Sequence, residues 1–69
     1  MSHSYTNRCF ELGNEAGKAG KDKEYMAEDQ DLSNALLTTE DLLIRVTYMS
    51  AWLEGFKFGR YAFENDNEH

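Results

Sequence analysis

Polar residues recur at Asn7, Glu11, Asn14, Lys18 and Lys21, the spacing of one helix face. The opposite side carries Cys9, Leu12, Ala16 and Ala19, with Phe10, Gly13, Gly17 and Gly20 beside them. This pattern predicts a first helix over about residues 4–28. Its three glycines each cost roughly 1 kcal/mol against alanine, so the helix depends on packing. A second helix is predicted over about 39–64. Its polar stripe is Thr47, Ser50, Glu54, Lys57, Tyr61 and Glu64. One apolar row is Leu42, Val46, Met49, Leu53, Phe56 and Phe63. A second is Ile44, Tyr48, Ala51, Gly55, Gly59 and Ala62, with Trp52 between the two. Thr38 with Asp41 three residues on resembles a capping box, and Glu40 and Asp41 suit the positive end of the helix dipole. Between the helices, residues 29–37 leave room for a short extra helical turn around 35–37, capped by Ser33 or Asp31.

Proline is absent, and no stretch alternates with period two, which together point away from strands. The fold expected is all-α, a helical hairpin of two main helices joined by an acidic elbow. One small domain covers 1–69, with 65–69 a polar tail. The second helix is apolar around well over half its girth. One glycine-rich helix is too narrow to hide Trp52, Phe56, Phe58, Phe63, Leu42, Val46 and Met49 together. A contiguous apolar patch of that extent marks an interface, so we expect a homo-oligomer or an obligate complex.

Two stripes of small residues stand out. Gly13, Ala16, Gly17 and Gly20 follow i, i+3, i+4, i+7, and Ala51, Gly55, Gly59 and Ala62 follow i, i+4, i+8, i+11, so each set lies on one helix face. The sequence also echoes itself, because Phe10-x-x-Gly13-x-x-x-Gly17 matches Trp52-x-x-Gly55-x-x-x-Gly59. Small residues let helix backbones approach closely. The expected packing seam is therefore Gly13, Gly17 and Gly20 against Ala51, Gly55 and Gly59.

At these residues the chain resembles the ribosome modulation factor family of short bacterial and phage proteins. The first matching block is residues 13–21, Gly-Asn-Glu-Ala-Gly-Lys-Ala-Gly-Lys, and the second is residues 52–56, Trp-Leu-Glu-Gly-Phe. The resemblance implies a two-helix architecture and, as one possible function, ribosome binding that modulates translation. The family carries a Cys-Pro-Tyr element between the blocks, which this proline-free chain lacks. Its ribosome-binding members are strongly basic.

Charge separates this chain from them. Thirteen acids against seven bases give a net charge of −6. Residues 22–41 hold seven of the acids and one base, Lys23, so the whole excess lies in the connection between the helices. Nucleic acid repels such a band, and direct nucleic-acid binding is not expected. The candidate partner-binding residues are Asp29, Asp31, Glu40 and Asp41 in the elbow. Leu36, Leu37, Trp52 and Phe56 are the candidates for an apolar partner or oligomer face. Carboxylates set encounter rate and orientation while apolar groups supply affinity.

Other chemistries find little footing. The single cysteine, Cys9, excludes an internal disulfide, and with His3 and His69 it composes no metal site. The glycine-rich block lacks phosphate-loop spacing, with Asp22 where a serine or threonine would stand. No cofactor, metal or catalytic residue is expected. The longest aliphatic run is residues 42–44, too short to span a bilayer, and no leader pattern opens the chain. The expected location is cytoplasmic, in the bacterial host if the chain is phage-encoded. The expected function is a small, acidic, non-enzymatic interaction protein. It would modulate or inhibit a larger bacterial machine at a basic, nucleic-acid-handling surface, as phage anti-host and anti-defence inhibitors do. The alternative is ribosome binding through Arg8, Lys18, Lys21, Lys57 and Arg60.

Overall fold

The computed structural model describes residues 4–66. All regular structure among them is helical: α1 (Ser4–Lys18), a 3₁₀ segment (Lys23–Ala27), α2 (Gln30–Leu36) and α3 (Leu42–Asp66). Of the expected polar tail, Asn65 and Asp66 belong to α3, and 67–69 lie outside the described residues.

The first helix stops at Lys18 rather than near residue 28, and the cause is local. Gly20 takes a left-handed φ of +80°. Its N–H donates to the Gly17 carbonyl at 3.0 Å, and the Lys21 N–H donates to the Ala16 carbonyl at 3.1 Å. This pair of bonds is a Schellman motif, which requires a left-handed residue just past the helix end. Glycine adopts that conformation without a Cβ penalty. Gly20 is thus the stop signal of α1, not a third rung of its glycine face. The ring of Phe63 lies across the space its side chain would fill.

The connection is itself structured. Asp29 caps α2, its Oδ1 accepting the N–H groups of Asp31 at 3.1 Å and Leu32 at 3.3 Å. Asp29, rather than Ser33 or Asp31, therefore starts the short helix. At its other end the Thr38 hydroxyl donates to the Ala35 carbonyl at 2.6 Å. Thr38 thus closes α2, and the expected capping box with Asp41 does not form. The cap of α3 is Asp41, whose Oδ1 accepts the Leu43 N–H at 2.9 Å, while Thr39 Oγ1 accepts the Asp41 N–H at 3.1 Å.

The two long helices lie side by side, as a hairpin would have them, but they run in the same direction. Tyr5 meets Tyr48, with ring centroids 6.0 Å apart. Gly13 faces Trp52 and Phe56, Gly17 faces Phe56 and Arg60, and Gly20 faces Phe63. Partner number rises with residue number throughout, which defines a parallel pair. The contacts are also reciprocal. Gly55 faces Phe10 and Asn14, and Gly59 faces Asn14 and Lys18. These are the positions equivalent, in the sequence echo, to the ones that Gly13 and Gly17 face on α3. The echo is thus a quasi-twofold helix crossing within one chain.

Backbone meets backbone along this crossing. A methyl group placed on Gly13 would overlap the Trp52 carbonyl, and one on Gly55 the Phe10 carbonyl. One on Gly17 would stand 2.5 Å from the Arg60 nitrogen. With hydrogen in place of a side chain, each Cα points at a carbonyl oxygen. Such Cα–H···O contacts recur at close helix–helix interfaces.

A parallel pair obliges the chain to travel back. At 1.5 Å per residue the 15 residues of α1 span about 22 Å, and residues 19–41 cover the return. This return segment also supplies the third wall of the core. Cys9, Leu12 and Ala16 from α1, Leu32 and Ala35 from α2, and Tyr48 and Trp52 from α3 are all buried. Tyr25, Met26, Leu36, Ala51, Leu53 and Phe56 pack around them.

Candidate functional site

The candidate residues divide into a buried set and an exposed set. Asp29 belongs to the core, only 7% exposed. Its second oxygen, Oδ2, accepts the Trp52 indole N–H at 3.0 Å. One carboxylate therefore caps α2, ties the return segment to α3, and satisfies the polar atom of a fully buried tryptophan. The expectation that Asp29 is an exposed rim charge is corrected. Its sequence surroundings are those of a solvated run, but its partner stands on another helix.

Trp52 is likewise not a surface anchor. It has no exposed area, and its ring stacks on Phe56 at 5.3 Å with 10° between planes. Phe56 is half-buried. Trp52 is thus a core residue, and Phe56 packs against that core while remaining partly exposed. Leu36 is half-buried and packs against the core.

The exposed set gathers where α2 ends and α3 begins. Leu37 is 75% exposed, Leu42 73%, Leu43 78% and Val46 53%. Leu42 and Val46 share one face of α3, one turn apart. Glu40 and Asp41 are exposed beside them in sequence, whereas Asp31, also exposed, lines a separate depression with Leu12, Glu15, Lys21 and Tyr25. The Arg45 side chain turns back to donate to the Thr39 carbonyl at 2.8 Å. An apolar corner thus sits beside carboxylates, with its nearest guanidinium held against the backbone.

This corner continues into a groove. Met49 follows Leu42 and Val46 along the same α3 stripe, and it lines an open depression of about 490 Å³. The other walls are Met26 and Ala27 from the 3₁₀ segment and Leu32, Ser33 and Leu36 from α2, with Lys23 and Glu24 at the edge. Leu42, Val46 and Met49 are legible in the sequence as excess apolar surface, and the aliphatic run at 42–44 signals Leu43. Met26 carries no such signal, because its pattern reads as the end of the first helix.

The remaining chemistry is confined. The Cys9 thiol is buried, and its pKa is raised, first by desolvation and then by the nearby Asp29 carboxylate, with Arg8 opposing. It therefore stays protonated at neutral pH, and a protonated thiol is a poor nucleophile. Among the described residues no group of three His, Cys, Asp or Glu side chains is placed to hold a metal. No helix of the described residues is long and apolar enough to cross a membrane.

The proposed basic face is partly engaged. Arg60 donates to the Lys21 carbonyl at 2.8 Å and pairs with Glu64 at 3.2 Å. Arg8 and Lys57 stand beside Glu11 and Glu54, at 3.8 and 4.0 Å. No protein-family model, curated protein or solved structure matches this chain.

Proposed function

We propose that this chain is a non-enzymatic interaction protein that modulates or inhibits a larger bacterial assembly by docking on a basic protein surface. The observation that supports this reading is the apolar corner Leu37, Leu42, Leu43 and Val46, exposed beside Glu40 and Asp41. Leaving four large aliphatic side chains wet forgoes about 1.5–3 kcal/mol of burial for each. A partner that covers them recovers it. The carboxylates choose the sign of that partner and raise its association rate. Glu40, Asp41, Leu36 and Leu37 remain in the site, and Leu42, Leu43 and Val46 join it, while Asp31 belongs to the depression beside α1. Asp29 and Trp52 leave it for the core, and Phe56 leaves it for the stack against Trp52. A second copy is a poorer occupant of this corner, because twofold pairing would oppose Glu40 and Asp41 to their own kind.

The test is affinity capture from bacterial lysate with and without nuclease, comparing wild type with Leu43→Asp and with Glu40→Lys. A specific protein retained by wild type and lost by both variants supports the reading. Capture that both variants retain, or sedimentation with ribosomal subunits that nuclease abolishes, overturns it. The latter outcome would favour ribosome binding, as the family resemblance implies.

A further inference from the structure

We propose that the groove between the 3₁₀ segment, α2 and α3 receives an amphipathic helix of the partner, with aliphatic residues on one face and lysine or arginine flanking them. This deepens the docking reading above and rests on it. The fold itself narrows the mode of recognition. Among the described residues there is no strand, so no open edge offers main-chain hydrogen bonds to an added strand. Polyproline segments dock on aromatic-lined grooves, whereas Met26, Leu32, Leu36 and Met49 make this one aliphatic and thioether. Flexible methionine side chains adapt to irregular apolar anchors.

The dimensions agree with a helix. The groove holds about 490 Å³ and opens to solvent. The stripe Leu42, Val46, Met49 extends it along α3 by two helical turns, about 10 Å. That is the length over which anchors at i, i+3 or i+4, and i+7 present themselves. Charge selects the flanks. Lys23 and Glu24 stand at the groove itself, and Asp22, Glu28, Glu40 and Asp41 are exposed on the same return segment, which carries no other base between residues 22 and 41. A partner helix with acidic flanks is repelled, and one with basic flanks is attracted.

The probe is a synthetic peptide of about 15–18 residues, long enough for marginal helicity, with leucines at helical spacing and lysines elsewhere. One control scatters the same residues, and another replaces lysine with glutamate. Wild-type protein carrying ¹³C-methyl methionine, leucine and valine reports from the groove through Met26 and Met49 and from the corner through Leu42, Leu43 and Val46. The basic amphipathic peptide is expected to shift both methionine signals, at least tenfold more tightly than the scattered control, with affinity falling as salt rises. The glutamate peptide should not bind. Ala27→Lys, on an exposed groove wall, should weaken binding at least tenfold without changing the melting curve, and Met49→Lys gives the same reading from α3.

Shifts confined to Leu42, Leu43 and Val46 methyls would overturn the groove while leaving the corner reading intact. No shift at any of these methyls overturns the groove proposal, and lysate capture then judges the corner separately. Equal binding of the glutamate or scattered peptide also overturns it. So do Met26 and Met49 signals that move on dilution without peptide, since a second copy would then fill the groove.

Discussion

The α1–α3 crossing and the α2–α3 corner share one helix and use it in opposite ways. At the crossing, Gly13, Gly17, Gly55 and Gly59 have given up side chains so that carbonyls and Cα atoms touch. At the corner, Leu37, Leu42, Leu43 and Val46 keep large side chains that touch little. The crossing has no slack, and any added atom must displace backbone. The corner is all slack within the free chain. The fixed crossing and the exposed corner thus occupy different parts of α3, and on the proposed reading substitutions should separate stability from binding.

The largest effect belongs to the crossing. Gly13→Ala and Gly55→Ala each add a single methyl and each remove a helix-weakening glycine. Overpacking against backbone should nevertheless win, with a net loss of at least about 2 kcal/mol after roughly 1 kcal/mol of propensity is gained. Gly17→Leu and Gly55→Leu should leave little folded protein, since a domain of this size has few kcal/mol to lose. Urea melts followed by circular dichroism measure both. Alanine variants as stable as wild type would mean the helices can separate cheaply, and the contrast with the corner would vanish.

Next in size is the Asp29–Trp52 link. Asp29→Ala removes the α2 cap, a loss of about 0.5–2 kcal/mol. It also orphans the buried indole N–H, a further 1–3 kcal/mol or so. Trp52→Phe removes the donor from the other side. In a double-mutant cycle the two should be coupled by about 1 kcal/mol or more, because they share one bond. Strict additivity would show that the carboxylate acts only as a cap.

The helical class and both glycine stripes could be read in the chain, because period, absent proline and small-residue spacing are local signals. Helix direction could not. A connection between two helices suggests antiparallel neighbours, and only the fold reveals that residues 19–41 run back along the pair. The reciprocal echo of Phe10–Gly13–Gly17 and Trp52–Gly55–Gly59 held the missing information, since identical order on both helices suits a parallel crossing. Asp29 was misjudged for a different reason. In sequence it is one acid in a run of acids, and its burial depends on an indole 23 residues away. The extent of the exposed corner follows from the same return path, which covers Trp52 but stops short of Leu42 and Leu43.

A smaller effect follows from Cys9. Its folded pKa is raised by burial and by Asp29, so the native state favours the protonated thiol. That contribution is intact below the unfolded thiol's pKa and is lost as pH rises from there through the higher folded value. Stability should therefore decline on the alkaline side, and Cys9→Ser or Cys9→Ala should flatten that part of the decline. Native-state alkylation should also be much slower than in urea. A thiol that reacts equally fast in both states would place Cys9 in solvent and detach it from the crossing it lies beside.

The smallest change in stability should come from the largest change in side chain. Leu42→Ser and Leu43→Ser each delete an entire aliphatic side chain, yet both positions are about three-quarters exposed. Surface substitutions of this kind fall within about 0.5 kcal/mol. The urea midpoint should hardly move, while affinity for a partner on the corner drops. Set beside Gly13→Ala, removing an isobutyl group should then matter less to the fold than adding a methyl. A loss of 2 kcal/mol or more at Leu42 or Leu43 would mean that the free chain already covers its corner. If that loss grew with protein concentration, the cover would be a second copy, and the corner would belong to an oligomer interface rather than to a basic partner.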